Sequence, residues 1–213
     1  YIITNCNKPN FFNLNLVRIK TIVLASNNAN KAEEIQMLLG DQVEIIMQQD
    51  LNIEPTPETG KTFQENAYLK ATTVCKKVKL PVIGDDSGLE VDCLNSQPGI
   101  HSARFAGEGA SDKDNIIKLL SQMTGIPPEK RTARFKCVIA LVGMEESSEV
   151  NFFHGEWNGF ISEEIMGHNG FGYDPVFVGQ GTQLTAAELD QGLKNKFSHR
   201  GQAMEALKSY LSI

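Results

Sequence analysis

TIVLASNNANK, residues 21–31, joins a short apolar run to a polar segment that ends in a lysine. Apolar runs of this length, bounded by polar residues, are typical of buried strands. The polar segment leads into a helical pattern that ends at Gly40, and glycine commonly follows the last residue of a helix. The stretch therefore predicts a strand, a polar loop and a helix, which is a unit of an α/β fold.

Outward from this unit, strand and helix patterns alternate. Strands are predicted at Gln42–Met47 and at Pro81–Gly84, both short and apolar. Helices are predicted to begin at Thr62, where Glu65 has the spacing of a capping box, and at Ser111. Pro127 and Pro128 prevent the second of these helices from continuing.

The C-terminal half adds antiparallel ribbons to this alternation. Residues 132–143 alternate apolar and polar side chains, which predicts a long half-buried strand with residues 149–160 as its antiparallel partner. Later predicted elements are a strand at Pro175–Val178 and helices at Thr185–Glu188 and Ser198–Leu211. The fold class is therefore α/β with a mixed sheet, and not a purely parallel doubly wound sheet.

The composition is that of a soluble globular protein. The 213 residues are 41% hydrophobic and 22% charged, enough for a sizeable core. Because 20 Lys and Arg face 26 Asp and Glu, a general nucleic-acid binder is disfavoured. The sequence has no apolar run of 18 residues, so no membrane span is predicted. The four cysteines lack metal-type spacing and predict reduced thiols in the cytoplasm.

Residues 1–20 differ from the rest of the chain. They are rich in Asn and have neither a helical nor an alternating apolar period. They fit neither a secretory signal nor a mitochondrial presequence. We predict a weakly ordered extension of unknown role, followed by one domain at residues 21–213.

The first polar cluster stands where the first strand meets its helix. Free backbone N–H groups and the positive end of a helix favour an anion there, and Lys31 adds a full charge. Alternatively, Ser and Asn merely cap the helix. The chain has no Walker-type phosphate loop, which argues against a P-loop kinase or GTPase. The cluster consists of Ser26, Asn27, Asn28, Ala29, Asn30 and Lys31.

A second cluster, Asp85-Asp86-Ser87-Gly88, follows the strand predicted at Pro81–Gly84. Adjacent carboxylates at the end of a buried strand need a cation or strong donors, and Mg²⁺ is one such cation. Alternatively, one Asp caps a turn ending at Gly88 and the other is solvated. Glu58 is a further candidate carboxylate ligand, whereas Glu65 is predicted to cap its own helix.

Two more clusters lie near the C-terminus. In Gly170–Pro175, two glycines flank Phe171, so this ring can stack on a base while Asp174 or backbone groups bond the base edge. A Gly-rich turn with a core Phe is the alternative. Lys194, His199 and Arg200 concentrate positive charge near a predicted helix start, which calls for an anion or a carboxylate unless they are simply solvated.

Together these stretches resemble the inosine/xanthosine triphosphate pyrophosphatases, in their order and spacing, from Thr21 almost to the C-terminus. The family implies a two-lobed α/β fold with a long bent mixed sheet flanked by helices and a cleft between the lobes. It also implies a homodimer, Mg²⁺ dependence and release of pyrophosphate from ITP, dITP and XTP. The motifs are SNNANK (26–31), TFQENAYLKA (62–71), DDSGLEVDCLNSQPGIHSARFAG (85–107), GFGYDPVF (170–177), TAAEL (185–189) and SHRGQA (198–203).

The resemblance also implies roles for individual residues. Residues 26–31 match the triphosphate loop, Asp86 the catalytic and metal-binding carboxylate, and Ser87 a substrate contact. Many relatives place an acidic metal ligand two positions before the glycine equivalent to Gly60, which makes Glu58 the second metal ligand predicted here. The neighbouring position that some relatives use is Pro57. The base and phosphate contacts are matched by Phe171, Gly172, Tyr173, Asp174, Lys194, His199 and Arg200.

These residue types suit hydrolysis between the α and β phosphates. Mg²⁺, Lys31 and loop amides mask charge, and Asp86 orients or deprotonates the water, with Asp85 holding the turn or a metal-bound water. His199 and Arg200 are the predicted donors that reject the amino group of adenine. The alternatives are a pyrophosphatase for modified or pyrimidine nucleotides and a catalytically silent nucleotide-binding protein.

Overall fold

The computed structural model describes residues 19–144 and 149–213. The predicted extension at residues 1–20 therefore lies almost wholly outside the described residues. The strands are β1 (Thr21–Leu24), β2 (Glu44–Met47), β3 (Val82–Val91), β4 (Gln97–Pro98), β5 (Thr132–Val142), β6 (Asn151–Ile161) and β7 (Phe177–Gly179). The helices are α1 (Ala29–Leu39), α2 (Phe63–Cys75), α3 (Asp112–Gln122), α4 (Gln191–Phe197) and α5 (His199–Leu211).

The strands of the described chain form one mixed sheet in the order β2-β1-β3-β5-β6-β7, with β4 paired to β3. β1 runs parallel to both β2 and β3, whereas β5 is antiparallel to β3 and to β6. The predicted pairing of two long strands in the second half of the chain is thus confirmed. The sheet combines parallel α/β units with antiparallel ribbons, as predicted.

The first two helices cover opposite faces of the sheet. Ile35 of α1 packs in the same core cluster as Ile22 of β1, whereas Ala71 of α2 packs in the cluster that contains Val23. Ile22 and Val23 are neighbours in a strand, so their side chains point to opposite faces. With β1 between β2 and β3 and its crossover helices on opposite faces, a crevice opens at the carboxyl end of β1.

β3 is longer than the sequence predicts. The predicted strand ends at Gly84, but β3 continues through the acidic pair and pairs with β5 from Val82 to Val91. The interpretation that one aspartate caps a turn ending at Gly88 is therefore wrong. Both carboxylates lie within the part of β3 that pairs with β5, with Asp85 opposite Ile139 and Asp86 opposite Val138. The local sequence does not reveal this partner strand.

Two glycines let helices touch the sheet backbone. A Cβ atom added to Gly84 would lie 2.3 Å from the carbonyl oxygen of Ala67 in α2. One added to Gly155 would lie 1.9 Å from the carbonyl oxygen of His199 in α5. These close approaches place polar side chains of α2 and α5 directly against the strands.

Of the helices predicted to begin at Thr62, Ser111 and Thr185, the first two are confirmed and the third is wrong. Thr62 accepts the N–H of Glu65 at 3.1 Å and caps α2, and Ser111 caps α3, as predicted. Thr185 and Glu188 also bond to each other, but they close a turn, so the helix predicted there is wrong. α4 follows that turn and was not predicted. Among the described helices, none is long and apolar enough to cross a bilayer.

Candidate active site

A cavity of about 120 Å³ opens at the crevice and brings together residues from all four predicted clusters. A wider groove of about 740 Å³ includes residues of β5 and β6, and none of its described lining residues belongs to those predicted for the site. We therefore place the candidate site in the smaller cavity. The predicted residues that line it are Asn28, Lys31, Glu58, Asp86, Ser87, Phe171, Gly172, Tyr173, Asp174, Lys194, His199 and Arg200.

The loop after β1 is ordered by its own side chains. Ser26 Oγ accepts the N–H of Asn28 at 3.1 Å, and Asn28 Oδ1 accepts the N–H of Lys31 at 3.1 Å. The capping interpretation is thus correct for Asn28, the residue that caps α1, whereas Ser26 orders the turn that precedes the helix. Capping leaves the start of α1 turned toward the cavity, where Asn28 and Lys31 line the wall. Ser26, Asn27, Ala29 and Asn30 are not among the lining residues described for the cavity.

Asp85 is a fully buried anion on the α5 side of β3. Its carboxylate accepts hydrogen bonds from Lys31 Nζ, from Arg200 Nε at 2.9 Å and from the hydroxyl of Ser87 at 3.1 Å. Burial alone would raise the pKa of Asp85, but the Arg200 and Lys31 cations hold it well below its usual range. Asp85 therefore stays ionised and fixes both cations. It does not hold a turn.

Asp86 points to the opposite face of the sheet, because successive side chains of a strand alternate. It accepts hydrogen bonds from Lys70 Nζ at 2.6 Å and from Asn66 Nδ2 at 3.2 Å, both on α2. Burial raises the pKa of Asp86 even though the Lys70 ammonium opposes the shift. Two neighbouring carboxylates thus have pKa values displaced in opposite directions, as in sites where one carboxylate acts as base.

Glu58 joins the Asp86 side of the cavity through shared cations. Its carboxylate lies 2.5 Å from Lys70 Nζ and 2.8 Å from Arg104 Nη1. Burial opposes ionisation, but Lys70 and Arg104 lower the pKa of Glu58 to about 2. Glu58 and Asp86 therefore converge on one ammonium group, as two ligands of one cation do.

The carboxylates of Asp86 and Glu58 are suitable ligands for a divalent metal such as Mg²⁺. Mg²⁺ prefers oxygen ligands and commonly takes one or two carboxylates, with phosphates and waters supplying the rest. In residues 19–144 and 149–213, no group of three or more His, Cys, Asp and Glu residues could hold a metal by itself. Asp86 and Glu58 thus suit a metal that a phosphate ligand helps to hold.

The aromatic loop at the other end of the cavity is held at several points. Phe171 N–H donates to Asp174 Oδ2 at 2.9 Å, and Gly172 N–H donates to Asp112 Oδ2 at 2.7 Å. Tyr173 donates its hydroxyl to the carbonyl oxygen of Ser102 at 2.9 Å. Asp174 is buried, so in this structure it orders the loop. Phe171 remains half-buried at the cavity, as stacking on a flat ligand requires.

The positive cluster near α5 is compensated by carboxylates. Lys194 Nζ donates to Glu34 Oε1 at 2.6 Å and to Asp174 Oδ2 at 2.7 Å, and Arg200 Nη1 donates to Glu34 Oε2 at 2.6 Å. Burial and the neighbouring Arg200 hold the pKa of His199 well below its usual range. His199 is therefore neutral, and two buried cations flank it.

Several residues of the site were missed from the sequence. They are Asp112, which lines the cavity, and Glu34, Asn66, Lys70 and Arg104, which bond to charged residues of its lining. A signal was present for two of them: Asn66 and Lys70 are polar, lie one turn apart and fall on the otherwise apolar face of α2. The others are brought to the site by contacts that are distant in the chain.

The fold and the cavity define an α/β protein with a polar cavity at the carboxyl end of parallel strands, which is where such sheets commonly bind their ligands. A family model described as Ham1 family matches residues 22–210. The chain is 47% identical to a dITP/XTP pyrophosphatase of Vibrio parahaemolyticus over 195 residues, 91% of this chain and 98% of that protein. It is 49% identical to one of Methylococcus capsulatus over 193 residues, 90% and 96% of the two chains.

Solved structures agree with these sequence comparisons. A HAM1 protein from Coxiella burnetii superposes with a TM-score of 0.82 and 45% identity, covering 91% of this chain and 99% of that chain. The Ham1 protein of Staphylococcus aureus gives 0.80 and 41%, covering 91% and 98%. The chain belongs to the Ham1 family. The family and the fold class predicted from the motifs are confirmed.

Proposed function

We propose that this chain is a nucleoside triphosphate pyrophosphatase that converts dITP, XTP and ITP to the monophosphate and pyrophosphate. Relatives that are nearly half identical and align almost end to end are named dITP/XTP pyrophosphatases. The observation that carries the proposal is the Asp85–Asp86 pair. One carboxylate fixes two cations, while the other has a raised pKa and lines the cavity.

Asp86 is the proposed general base. A raised pKa makes this carboxylate a better proton acceptor, and Lys70 and Asn66 fix its orientation. Asp86 accepts a proton from a water whose oxygen attacks the α-phosphorus, and the bond from this phosphorus to the bridging oxygen breaks. Pyrophosphate leaves with the electron pair. Lys31 and the start of α1 stabilise the departing negative charge.

Mg²⁺ is the proposed cofactor, held by Asp86 and Glu58. When bound, it neutralises part of the triphosphate charge and aligns the phosphates. The charge balance of the cleft supports this proposal. Its described cations Lys31, Lys70, Arg104, Lys194 and Arg200 are all paired with carboxylates: Glu34, Glu58, Asp85, Asp86 and Asp174.

Recognition of a 6-oxo purine is proposed to use the remaining donors. A lysine ammonium has three N–H groups, and two of those on Lys194 donate to Glu34 and Asp174, which leaves one for a base oxygen. Arg200 and His199 supply further polar groups at the same wall, and Phe171 stacks on the ring. The amino group of adenine would face these donors, at a cost of about 1–3 kcal/mol per unpaired group.

The test measures pyrophosphate release from dITP, XTP, ITP, ATP, GTP and pyrimidine nucleotides, with Mg²⁺ and with EDTA. We expect Asp86→Asn to reduce the rate at least a hundredfold, since it removes the base and a metal ligand. Asp41→Asn, a change at an exposed aspartate, is the matched control. Equal rates with ATP and dITP would contradict the specificity, and a fully active Asp86→Asn would contradict the assigned base.

We also propose a single two-lobed domain at residues 21–213, a homodimer and a cytoplasmic location, as the family resemblance implies. The cysteines at positions 75, 93 and 137 are free among the described residues, which suits a reducing compartment. Light scattering after gel filtration tests the assembly. A mass of one chain at micromolar concentration would contradict the homodimer.

A further inference from the structure

Gln48 is a buried residue beside the loop that follows β1. Because β1 and β2 are parallel with Leu24 opposite Met47, the chain leaves both strands at the same edge of the sheet. There Gln48 Nε2 donates to Asn27 Oδ1 at 3.0 Å. A residue just beyond the end of β2 thus holds a side chain of the predicted triphosphate loop.

The geometry of Gln48 is not explained by stability alone. Its side chain is buried, with the residue 2% exposed, and its backbone carbonyl accepts the N–H of Ile53 at 3.0 Å. Within the described residues, Gln48 Oε1 has no hydrogen-bond partner. Buried amide oxygens are normally satisfied, so an apolar side chain of the same size would serve packing at least as well.

We propose that Gln48 is a positioning residue that orients the Asn27 side chain toward the triphosphate. An asparagine amide has an acceptor end and a donor end of nearly equal shape. Because Gln48 occupies the acceptor end, the NH₂ group of Asn27 is left free. Asn27 is exposed and lies outside the described lining of the cavity, so this group would meet the part of a triphosphate that extends beyond the cavity. Phosphate oxygens attract that group and repel the carbonyl. This inference rests on the proposed function, which places a triphosphate beside residues 26–31.

Two nearly isosteric variants separate orientation from packing. Gln48→Met keeps the volume and removes the donor. Gln48→Glu keeps the shape but supplies only acceptors, which attract the NH₂ group of Asn27 and turn its carbonyl toward the ligand. We expect KM for dITP to rise about threefold to tenfold in Gln48→Met, and further in Gln48→Glu. The exposed neighbour variant Gln49→Met is the matched control and should be unchanged.

A double-mutant cycle shows whether Gln48 acts through Asn27. If it does, Gln48→Met adds little to Asn27→Ala, and the double variant resembles Asn27→Ala alone. Thermal unfolding of all variants identifies any that are merely destabilised. Wild-type KM in Gln48→Glu, or additive effects of Gln48→Met and Asn27→Ala, would overturn the proposal.

Binding of inorganic tripolyphosphate, measured by calorimetry on the same variants, keeps this inference separate from the proposed function. If the wild type hydrolyses no nucleoside triphosphate, the proposed function fails, but the Gln48 variants should still bind tripolyphosphate about threefold to tenfold more weakly. Equal tripolyphosphate affinity in wild type and Gln48→Met would contradict the role of Gln48.

Discussion

Asp85 and Asp86 are neighbours of the same residue type, yet their surroundings give them opposite properties. The alternation of β3 sends Asp85 toward Arg200 and Asp86 toward Lys70. Arg200 and Lys31 outweigh burial at Asp85 and lower its pKa. At Asp86, burial outweighs Lys70 and Lys31, and the nearby Glu58 carboxylate also raises the pKa. The chemistry of each carboxylate therefore depends on which helix packs on its face of the sheet.

Glu58 should contribute stability that disappears in acid. Its pKa is about 2 in the folded chain, below the ordinary value of 4.5, so the ionised form is favoured by folding. The contribution is complete above pH 4.5 and falls as the pH drops toward 2. After allowance for solvent screening, we expect Glu58→Gln to cost about 2 kcal/mol at pH 7.

Urea unfolding between pH 7 and pH 3 measures this difference. The gap in unfolding free energy between wild type and Glu58→Gln should narrow steadily below pH 4.5. Glu33→Gln, at an exposed position, is the control and should leave the pH dependence unchanged. A gap of constant size across this range would show that the ion pairs of Glu58 do not stabilise the fold.

At the scale of elements, α5 is placed by its contact with β6. Gly155 of β6 has no side chain, and the first turn of α5 fills that space. The same turn carries His199, which stacks on Phe135 at 4.7 Å between ring centroids, and Arg200. The position of two site residues is therefore fixed by a strand glycine outside the cavity lining.

Gly155→Ala should disturb both stability and activity. Its Cβ would meet the carbonyl oxygen of His199 and the N–H of Ala203, so α5 must move away from β6. We expect a loss of about 3 kcal/mol in unfolding free energy and a fall in kcat/KM on the order of a hundredfold. Gly192→Ala, in α4, is the control and should be neutral or slightly stabilising. Unchanged activity in Gly155→Ala would contradict the positional role of this contact.

The elements also show where local patterns predict structure and where they do not. Capping at Thr62 and Ser111 was predicted correctly because a cap depends on residues within one turn. Thr185 and Glu188 have the same spacing, but Thr185 pairs with Val178 in a β-bridge, and tertiary contact overrides the local preference. The length of β3 was missed because its partner, β5, lies some 50 residues away.

At the scale of the molecule, the sequence predicted the four clusters of the site but not their pairing. Arg200 meets Asp85 and Glu34 across 115 and 166 residues of chain. No local pattern indicates such contacts. The net charge of −6 was also a poor guide, since in the described cleft each cation is matched by a carboxylate. Only the folded arrangement shows how little positive charge remains for a triphosphate.

This balance predicts a difference between tri- and monophosphates. A dITP analogue with a methylene group between the α and β phosphates should bind at least tenfold more weakly in EDTA than in Mg²⁺. Without Mg²⁺, no unpaired cation of the described cleft neutralises the extra charge of the β and γ phosphates. We expect dIMP affinity to change less than about twofold. Isothermal titration under both conditions measures the two ligands. Metal-independent binding of the triphosphate analogue would contradict the proposed need for Mg²⁺.

The buried carboxylate of Glu34 has a consequence for how a nucleotide is recognised. Glu34 belongs to α1, whose first turn lies at the proposed phosphate site. Through Lys194 it reaches Asp174, which accepts the N–H of Phe171 at the proposed base site. The two ends of the ligand thus share one buried chain of charges. We expect the two ends to bind cooperatively. A change in the base should alter the affinity for the phosphates, and a change in the phosphates should alter the affinity for the base by the same factor.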